Sequence, residues 1–313
     1  MKEKTKIGLA LTFCLILCLV IQYFSNYLFD IIIFGLTFMA VKEFKNLLLK
    51  SGMPSFDYCP ELACFLVFVA FFTGVLCGLS AVVILLIVIA LVALFYVCIF
   101  VGSFLLFKKD LQNDKFRDVS NMSVKRFAFF KANNTLSCIL YPTLLMFFLY
   151  FINHVQGLGL TNFEANTNGA PMGFYGLILL FATVCLSDTF AMIFGTLIKG
   201  KKLFPKISPN KTISGCIAGL IGGIMGAVAT QFFFLLIFKG VFVTIPLWKF
   251  IIVGFIGSLI SQGGDLFESH MKRRANVKDA GDFFRSHGGV LDRFDSIIFA
   301  APYIFICLLF IFG

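Results

Sequence analysis

Apolar runs as long as a bilayer is thick recur along this chain, and no other feature limits its fold so much. A membrane-spanning helix needs about 20 apolar residues. Nine segments meet that need, at roughly 7–24, 28–47, 61–78, 81–107, 134–153, 172–197, 213–238, 242–262 and 296–312. Of the 313 residues, 59% are hydrophobic and 13% are charged. A soluble domain has about 25% charged residues to cover its core, so this chain cannot be one. Backbone polar groups in lipid must be satisfied within each segment, which favours helices. The expectation is an all-α polytopic membrane protein with about nine transmembrane helices. The start, MKEKTKIGLALTFCLILCLV, has the basic head and apolar run of a signal peptide. It lacks a small-residue cleavage site, and a second apolar run follows at once, so it reads as an uncleaved first helix.

The charge pattern orients this bundle. With the N-terminus in the cytoplasm, nine crossings gather every Lys and Arg except Lys239 and Lys249 on the cytoplasmic side. The positive-inside rule selects that arrangement, with the C-terminus outside. The net charge of +10 is then a topology signal and a face toward anionic lipid heads; it requires no nucleic acid. The ten cysteines mostly sit in apolar runs and form no CxxC pair, so they read as small buried hydrophobes and not as a zinc site or disulfide frame. No tandem repeat is present. The expected organisation is an N-terminal membrane region, 1–133, with about four helices, and a C-terminal membrane region, 134–313, with about five and the charged strip on its cytoplasmic side.

Against this background, polar groups inside the runs stand out. Asp188, flanked by Ser187 and Thr189, lies within one. An isolated carboxylate in hydrocarbon costs several kcal/mol or more, so it faces a wet cavity, a cation or an ion-pair partner. Ten residues later comes KGKKLFPKISPNKT, where Pro205 and Pro209 break the helix and Lys201, Lys202, Lys206 and Lys211 crowd the loop. In SQGGDLFESHMKRR, Gly263 and Gly264 end or bend the eighth run. If helical geometry resumes, Asp265, Glu268, Ser269, Lys272 and Arg273 share one stripe. The strip from Ser269 to Ser296 carries ten formal charges in 28 residues. Its Gly281, Gly288 and Gly289 permit tight turns or close backbone approach to a ligand. Asp292 and Asp295 follow just before the ninth run.

Carboxylates without cysteine point to Mg²⁺ or a similar hard ion. No segment matches the GxxxxGK[ST] phosphate loop. Acids for a metal and bases for phosphates, at a membrane surface, suit phosphoryl or nucleotidyl transfer to a lipid. Composition and spacing leave a transporter with a charged gate equally open.

The strip resembles the signature of the phosphatidate cytidylyltransferase (CDP-diacylglycerol synthase) family. Ser269, Met271, Lys272, Arg273, Lys278, Asp279, Gly281, Phe284, His287, Gly288, Gly289, Val290, Asp292, Arg293, Phe294 and Asp295 fit its fixed positions. Arg285 stands where proline is usual. Upstream, SDTFAMIFG is similar to the family's Asp-Thr-Gly-Ala-Tyr segment, with Phe190 for Gly and Met192 for Tyr. KLFPKISPNKTISG is similar to its Ser-Pro-x-Lys-Thr-x-Glu-Gly segment, matching at Ser208, Pro209, Lys211, Thr212 and Gly215, with Ser214 for Glu. Gly264, Asp265, Leu266, Glu268 and Ser269 match its Gly-Asp-Leu-x-Glu-Ser. AVKEF, around Glu43, is only weakly similar. The firm resemblance covers Asp188 to Ser296.

The resemblance implies a multi-pass enzyme of the cell inner membrane that joins CTP to phosphatidic acid, giving CDP-diacylglycerol and pyrophosphate. It implies that Asp265 and Asp292 hold Mg²⁺, and it leaves any second cation unidentified. Lys272, Arg273, Lys278 and Arg293 become candidate phosphate ligands, with Asp279 in the same catalytic set. Asp188, Ser208, Lys211, Thr212, Ser269, His287, Gly288, Gly289 and Asp295 become candidate substrate contacts. The expected partners are the two substrates and membrane lipids; a homodimer is compatible with the resemblance, and no nucleic-acid partner is expected. A CTP-using enzyme for another lipid phosphate remains an alternative, as does a transporter, which would predict inverted repeats.

Overall fold

The computed structural model describes residues 16–105, 124–158, 172–237, 245–284 and 288–312. These residues form helices and one short hairpin. Helix α1 covers 16–24, and α2 (Asn26–Lys50), α3 (Cys59–Leu76) and α4 (Ala81–Leu105) follow. Helix α5 runs Val124–Asn153, with a π-helical turn at Ile139–Leu144 around Pro142. A proline lacks the N–H that the α-helical ladder needs, and a wider turn absorbs the fault. Next come α6 (Met172–Ile198), β1 (Lys202–Phe204), β2 (Ser208–Thr212), α7 (Ile213–Ile237), α8 (Leu247–Arg274) and α9 (Leu291–Phe312).

Among the described residues, seven helices, α3 to α9, are long and apolar enough to cross a membrane, and the protein is a polytopic, essentially all-α membrane protein. Helix α2 carries Asp30, Lys42, Glu43 and Lys45 and is not among those seven. Large apolar side chains face outward, as on α4 at Leu86, Ile89, Leu94, Val97 and Val101. In water such a surface would aggregate; in lipid it is the solvated face.

The chain divides into two compact units. The first comprises Met1–Ile32, Phe148–His270 and Arg293–Gly313. At its centre α6 and α7 pack along small residues. A Cβ on Gly215 would lie 2.7 Å from the Ala191 carbonyl oxygen, on Gly222 2.5 Å from that of Leu186, and on Gly226 2.4 Å from that of Ala182. The backbones touch because these positions lack side chains. Ser187 Oγ and Ser258 Oγ lie 2.8 Å apart, and Ser258 Oγ donates to the Gly219 carbonyl at 3.0 Å, tying α6, α7 and α8. A buried polar knot also lies in this unit: Asp30 accepts Asn153 Nδ2 at 2.8 Å and faces His154 Nε2 at 2.7 Å.

Helix α8 continues unbroken through Gly263 and Gly264, so the stripe expected after the glycines begins on an intact helix. Ser269 Oγ donates to Asp265 Oδ1, one turn back, at 3.3 Å. The two glycines differ in purpose. A Cβ on Gly263 meets nothing within 4 Å, whereas one on Gly264 would lie 2.6 Å from the Asp295 carbonyl oxygen. Gly263→Ala is therefore expected to raise stability by up to about 1 kcal/mol through helix propensity, and Gly264→Ala to lower it by about 1–3 kcal/mol by forcing α8 from α9. Thermal unfolding of the two variants in detergent checks this; equal shifts would contradict it.

The second unit comprises Ile33–Phe147 and Met271–Asp292. Its core includes Phe71 edge-on to Phe147 at 5.3 Å and Phe44 edge-on to Tyr141 at 4.8 Å. Ser103 Oγ on α4 donates to the Ala128 carbonyl on α5 at 3.1 Å. Lys45 on α2 is ion-paired with Glu61 on α3.

The basic segment at 199–212, read as a loop, folds as an antiparallel hairpin pairing Lys202 with Thr212 and Phe204 with Ser208. Pro205 sits in its turn and Pro209 in β2, where a missing N–H is tolerated at a sheet edge. The 154–171 loop, from 159 on, and most of the 108–133 linker lie outside the described residues.

Candidate functional site

In the first unit, four elements bring charged groups together. Thr212 ends β2 as the N-cap of α7, its hydroxyl accepting the Gly215 N–H at 3.1 Å. That cap fixes where the hairpin joins the helix. One residue earlier, Lys211 Nζ reaches α8, 2.7 Å from Asp265 Oδ2 and 3.4 Å from the Gln262 carbonyl oxygen. Asp188, on an exposed face of α6, interacts electrostatically with Lys211, Asp265 and Asp295, and Ser296 donates a hydrogen bond to it. Asp295 is buried on α9, and its Oδ1 accepts the Ser296 N–H at 2.6 Å. Three sequence segments that looked separate, around Asp188, Lys211 and Asp265, thus converge on one cluster. Ser208 lies half-buried on β2, and Arg293 is exposed on α9.

Asp265 pairs with the Lys211 ammonium, and Asp188 and Asp295 add negative charge to its surroundings. The excess negative charge and the all-oxygen donors suit a hard cation. Among the described residues, no three His, Cys, Asp or Glu side chains are gathered to enclose a metal by themselves. Mg²⁺ commonly takes one or two carboxylates and completes its shell with water and substrate phosphates. The donors therefore fit Mg²⁺, with Asp265 the acid paired directly to the lysine.

The second unit organises the charged strip. Lys272 Nζ lies 2.7 Å from Asp292 Oδ1, with both side chains largely buried. Asp292 Oδ2 accepts the N–H groups of Ala280 at 2.8 Å and Gly289 at 2.7 Å. Asp292 stands in the first turn of α9, where a negative charge is favoured by the helix dipole. Gly288 has φ +81°, a left-handed conformation that glycine adopts without strain, and its carbonyl accepts the Phe284 N–H at 2.9 Å. Arg273, Lys278 and Asp279 are exposed. His287 and Arg285 lie outside the described residues.

One residue outside the expected set holds this strip in place within the second unit. Glu43, on α2, accepts the Val290 N–H on Oε1 at 3.0 Å and the Leu291 N–H on Oε2 at 2.8 Å. A Cβ on Gly281 or on Gly289 would lie 2.3 Å from a Glu43 carboxylate oxygen. The signature glycines are thus small because this carboxylate fills the space beside them. The usable sequence signal was a glutamate between Lys42 and Lys45 at the end of an apolar run, fainter than the isolated charge that singled out Asp188.

Comparison with known proteins bears on the same residues. A profile described as the cytidylyltransferase family matches residues 4–311. Among curated relatives, the chain is 44% identical over 129 residues to a phosphatidate cytidylyltransferase of Rickettsia felis, covering 41% of this chain and 56% of that protein. It is 39% identical over 153 residues to that of Staphylococcus haemolyticus, covering 49% and 55%. It is 43% identical over 132 residues to that of Rickettsia prowazekii, covering 42% and 57%. The alignments span about half the length of these relatives. The profile takes in almost every described residue, including both charged clusters, and on that extent of agreement the chain belongs to the cytidylyltransferase family.

Proposed function

We propose that this protein transfers the cytidylyl group of CTP to phosphatidic acid in the inner membrane, giving CDP-diacylglycerol and pyrophosphate. The observation that carries the reading is the meeting of Asp188, Lys211 and Asp265, from three segments resembling one enzyme family, in a single polar cluster. The names of the related proteins agree with it.

A phosphate oxygen of phosphatidate attacks the α-phosphorus of CTP. The bond from that phosphorus to the bridging oxygen breaks, and pyrophosphate leaves with the electron pair. The nucleophile is already anionic near neutral pH, so no general base is required. The chain's task is to align two polyanions and offset their charge. Lys272, Arg273, Lys278 and Arg293 are the proposed phosphate ligands, and Asp279 is proposed in the same catalytic set. Lys211, Ser208, Thr212, Ser269, His287 and the Gly288–Gly289 backbone are proposed substrate contacts, alongside Asp188 and Asp295. Each of Asp265 and Asp292 is proposed as a Mg²⁺ ligand. Bound there, Mg²⁺ would neutralise phosphate charge as the leaving group departs.

We further propose that α1 and α2 complete nine crossings, with the N-terminus cytoplasmic and the C-terminus outside. Reporter fusions at the two termini test this, and equal signals from both would overturn it. The catalytic groups named above all fall within 134–313, the region proposed to hold the chemistry. Purified protein in detergent, given CTP and phosphatidate, should release pyrophosphate only when Mg²⁺ is supplied. No release with phosphatidate or any other lipid phosphate would overturn the enzyme reading; release with an ether-linked lipid phosphate alone would redirect it to that substrate.

A further inference from the structure

We infer that Glu43, from the N-terminal region, is a positioning residue for this reaction: its carboxylate anchors the backbone entering α9 and so sets where Asp292 points. The inference rests on the reading of Asp292 proposed above.

The geometry is specific. A helix leaves its first N–H groups without intrahelical partners, and side chains commonly satisfy them from within the same few residues. Here both oxygens of Glu43 take that role from another helix, binding Val290 and Leu291, which directly precede Asp292. The positive end of the α9 dipole favours the charge. Gly281 and Gly289 leave the slot that the carboxylate occupies. Asp292 works from the other side, holding Ala280 and Gly289 through Oδ2 and Lys272 through Oδ1. Two carboxylates therefore clamp the same turn. Asp292 keeps its direction only while residues 290 and 291 stay in place. Both Glu43 oxygens accept backbone N–H groups, so the carboxylate holds this turn in place. Displacements near 1 Å in such supports cost about a hundredfold in rate.

The test uses the full chain in detergent. Glu43→Gln removes the charge and turns its amide N–H donors toward one of the two backbone N–H groups; Glu43→Asp keeps the charge on a stem shorter by one methylene. Pyrophosphate kinetics are measured together with amide hydrogen exchange. For Glu43→Gln, kcat should fall at least about tenfold, with the Mg²⁺ concentration for half-maximal rate rising and the KM for phosphatidate within about twofold. Exchange in peptides covering 288–292 should quicken while the rest of α9 stays protected. Glu43→Asp should recover part of both effects. Gly281→Ala supplies a second arm if Glu43→Gln does not fold, because its methyl group displaces the same carboxylate without altering its charge. It should reproduce the fall in kcat and the faster exchange.

Wild-type kcat in folded Glu43→Gln or Gly281→Ala would overturn the inference, as would unchanged exchange at 288–292. The exchange readout needs no turnover. A wild-type protein without pyrophosphate release, but with exchange that depends on Glu43, would sink the proposed reaction and leave the anchor standing.

Discussion

Asp265→Asn should lose at least about a hundredfold in kcat/KM, roughly 2.7 kcal/mol of transition-state stabilisation, while unfolding at nearly the wild-type temperature. Its carboxylate pairs with Lys211, but both side chains are partly exposed, at 34% and 25%. An ion pair so open to its surroundings contributes at most about 1 kcal/mol to stability. Asp292→Asn should lose as much activity and fold less well. Asp292 and Lys272 are only 7% and 13% exposed, and breaking a buried pair leaves a charge without its partner, at a cost of about 3–5 kcal/mol. Two backbone N–H bonds weaken with it. The pair of variants therefore separates chemistry from architecture. Pyrophosphate release and thermal unfolding, measured on both, decide the matter. Near-normal turnover in either with Mg²⁺ would sink its role as a metal ligand.

Gly289→Ala should abolish the proposed activity by an indirect route. The new methyl carbon would lie 2.3–2.4 Å from the Glu43 carboxyl atoms, a separation that no real contact sustains. Either Glu43 withdraws from Val290 and Leu291, or the turn carrying Gly288 and Gly289 moves away from it. Overpacking of this kind costs about 1–3 kcal/mol, and the anchor of the α9 entrance is lost in both cases. A fall in kcat of at least about a hundredfold is expected. Adding Glu43→Ala opens the space again, so the double variant should be more stable than the sum of the two single losses implies. Additive losses in a double-mutant cycle would show that the two residues do not meet.

Much of the fold was legible because lipid imposes a length and a composition on each spanning helix. The apolar runs near 61–78, 81–107, 172–197 and 213–238 foretell α3, α4, α6 and α7 to within a few residues. Boundaries failed where polar residues continue a helix beyond the apolar stretch: α5 begins at Val124 and α8 reaches Arg274. The hairpin was hidden because Pro205 and Pro209 read as breaks, although both prolines suit a turn and an edge. In the site, Asp188, Lys211 and Asp265 were found as charges in costly or crowded places; Lys211 pairs with Asp265, and both lie within electrostatic reach of Asp188. Thr212 was singled out as a substrate contact, and its visible work is capping α7. Glu43 escaped because it acts 247 residues away from Val290, and no local spacing rule reaches that far. Its trace in the strip was the smallness of Gly281 and Gly289, which a turn explains equally well.

The contact between α6 and α7 has a practical side. Two helices joined where side chains are missing gain their attraction from close atomic contact, and the expulsion of water adds little to it. Such a joint depends weakly on whether acyl chains or detergent tails surround it. Asp188 rides on one partner, and Lys211 stands just before the other. Their relative placement should therefore outlast extraction from the bilayer, so that a solubilised preparation keeps the electrostatic layout of the native membrane form.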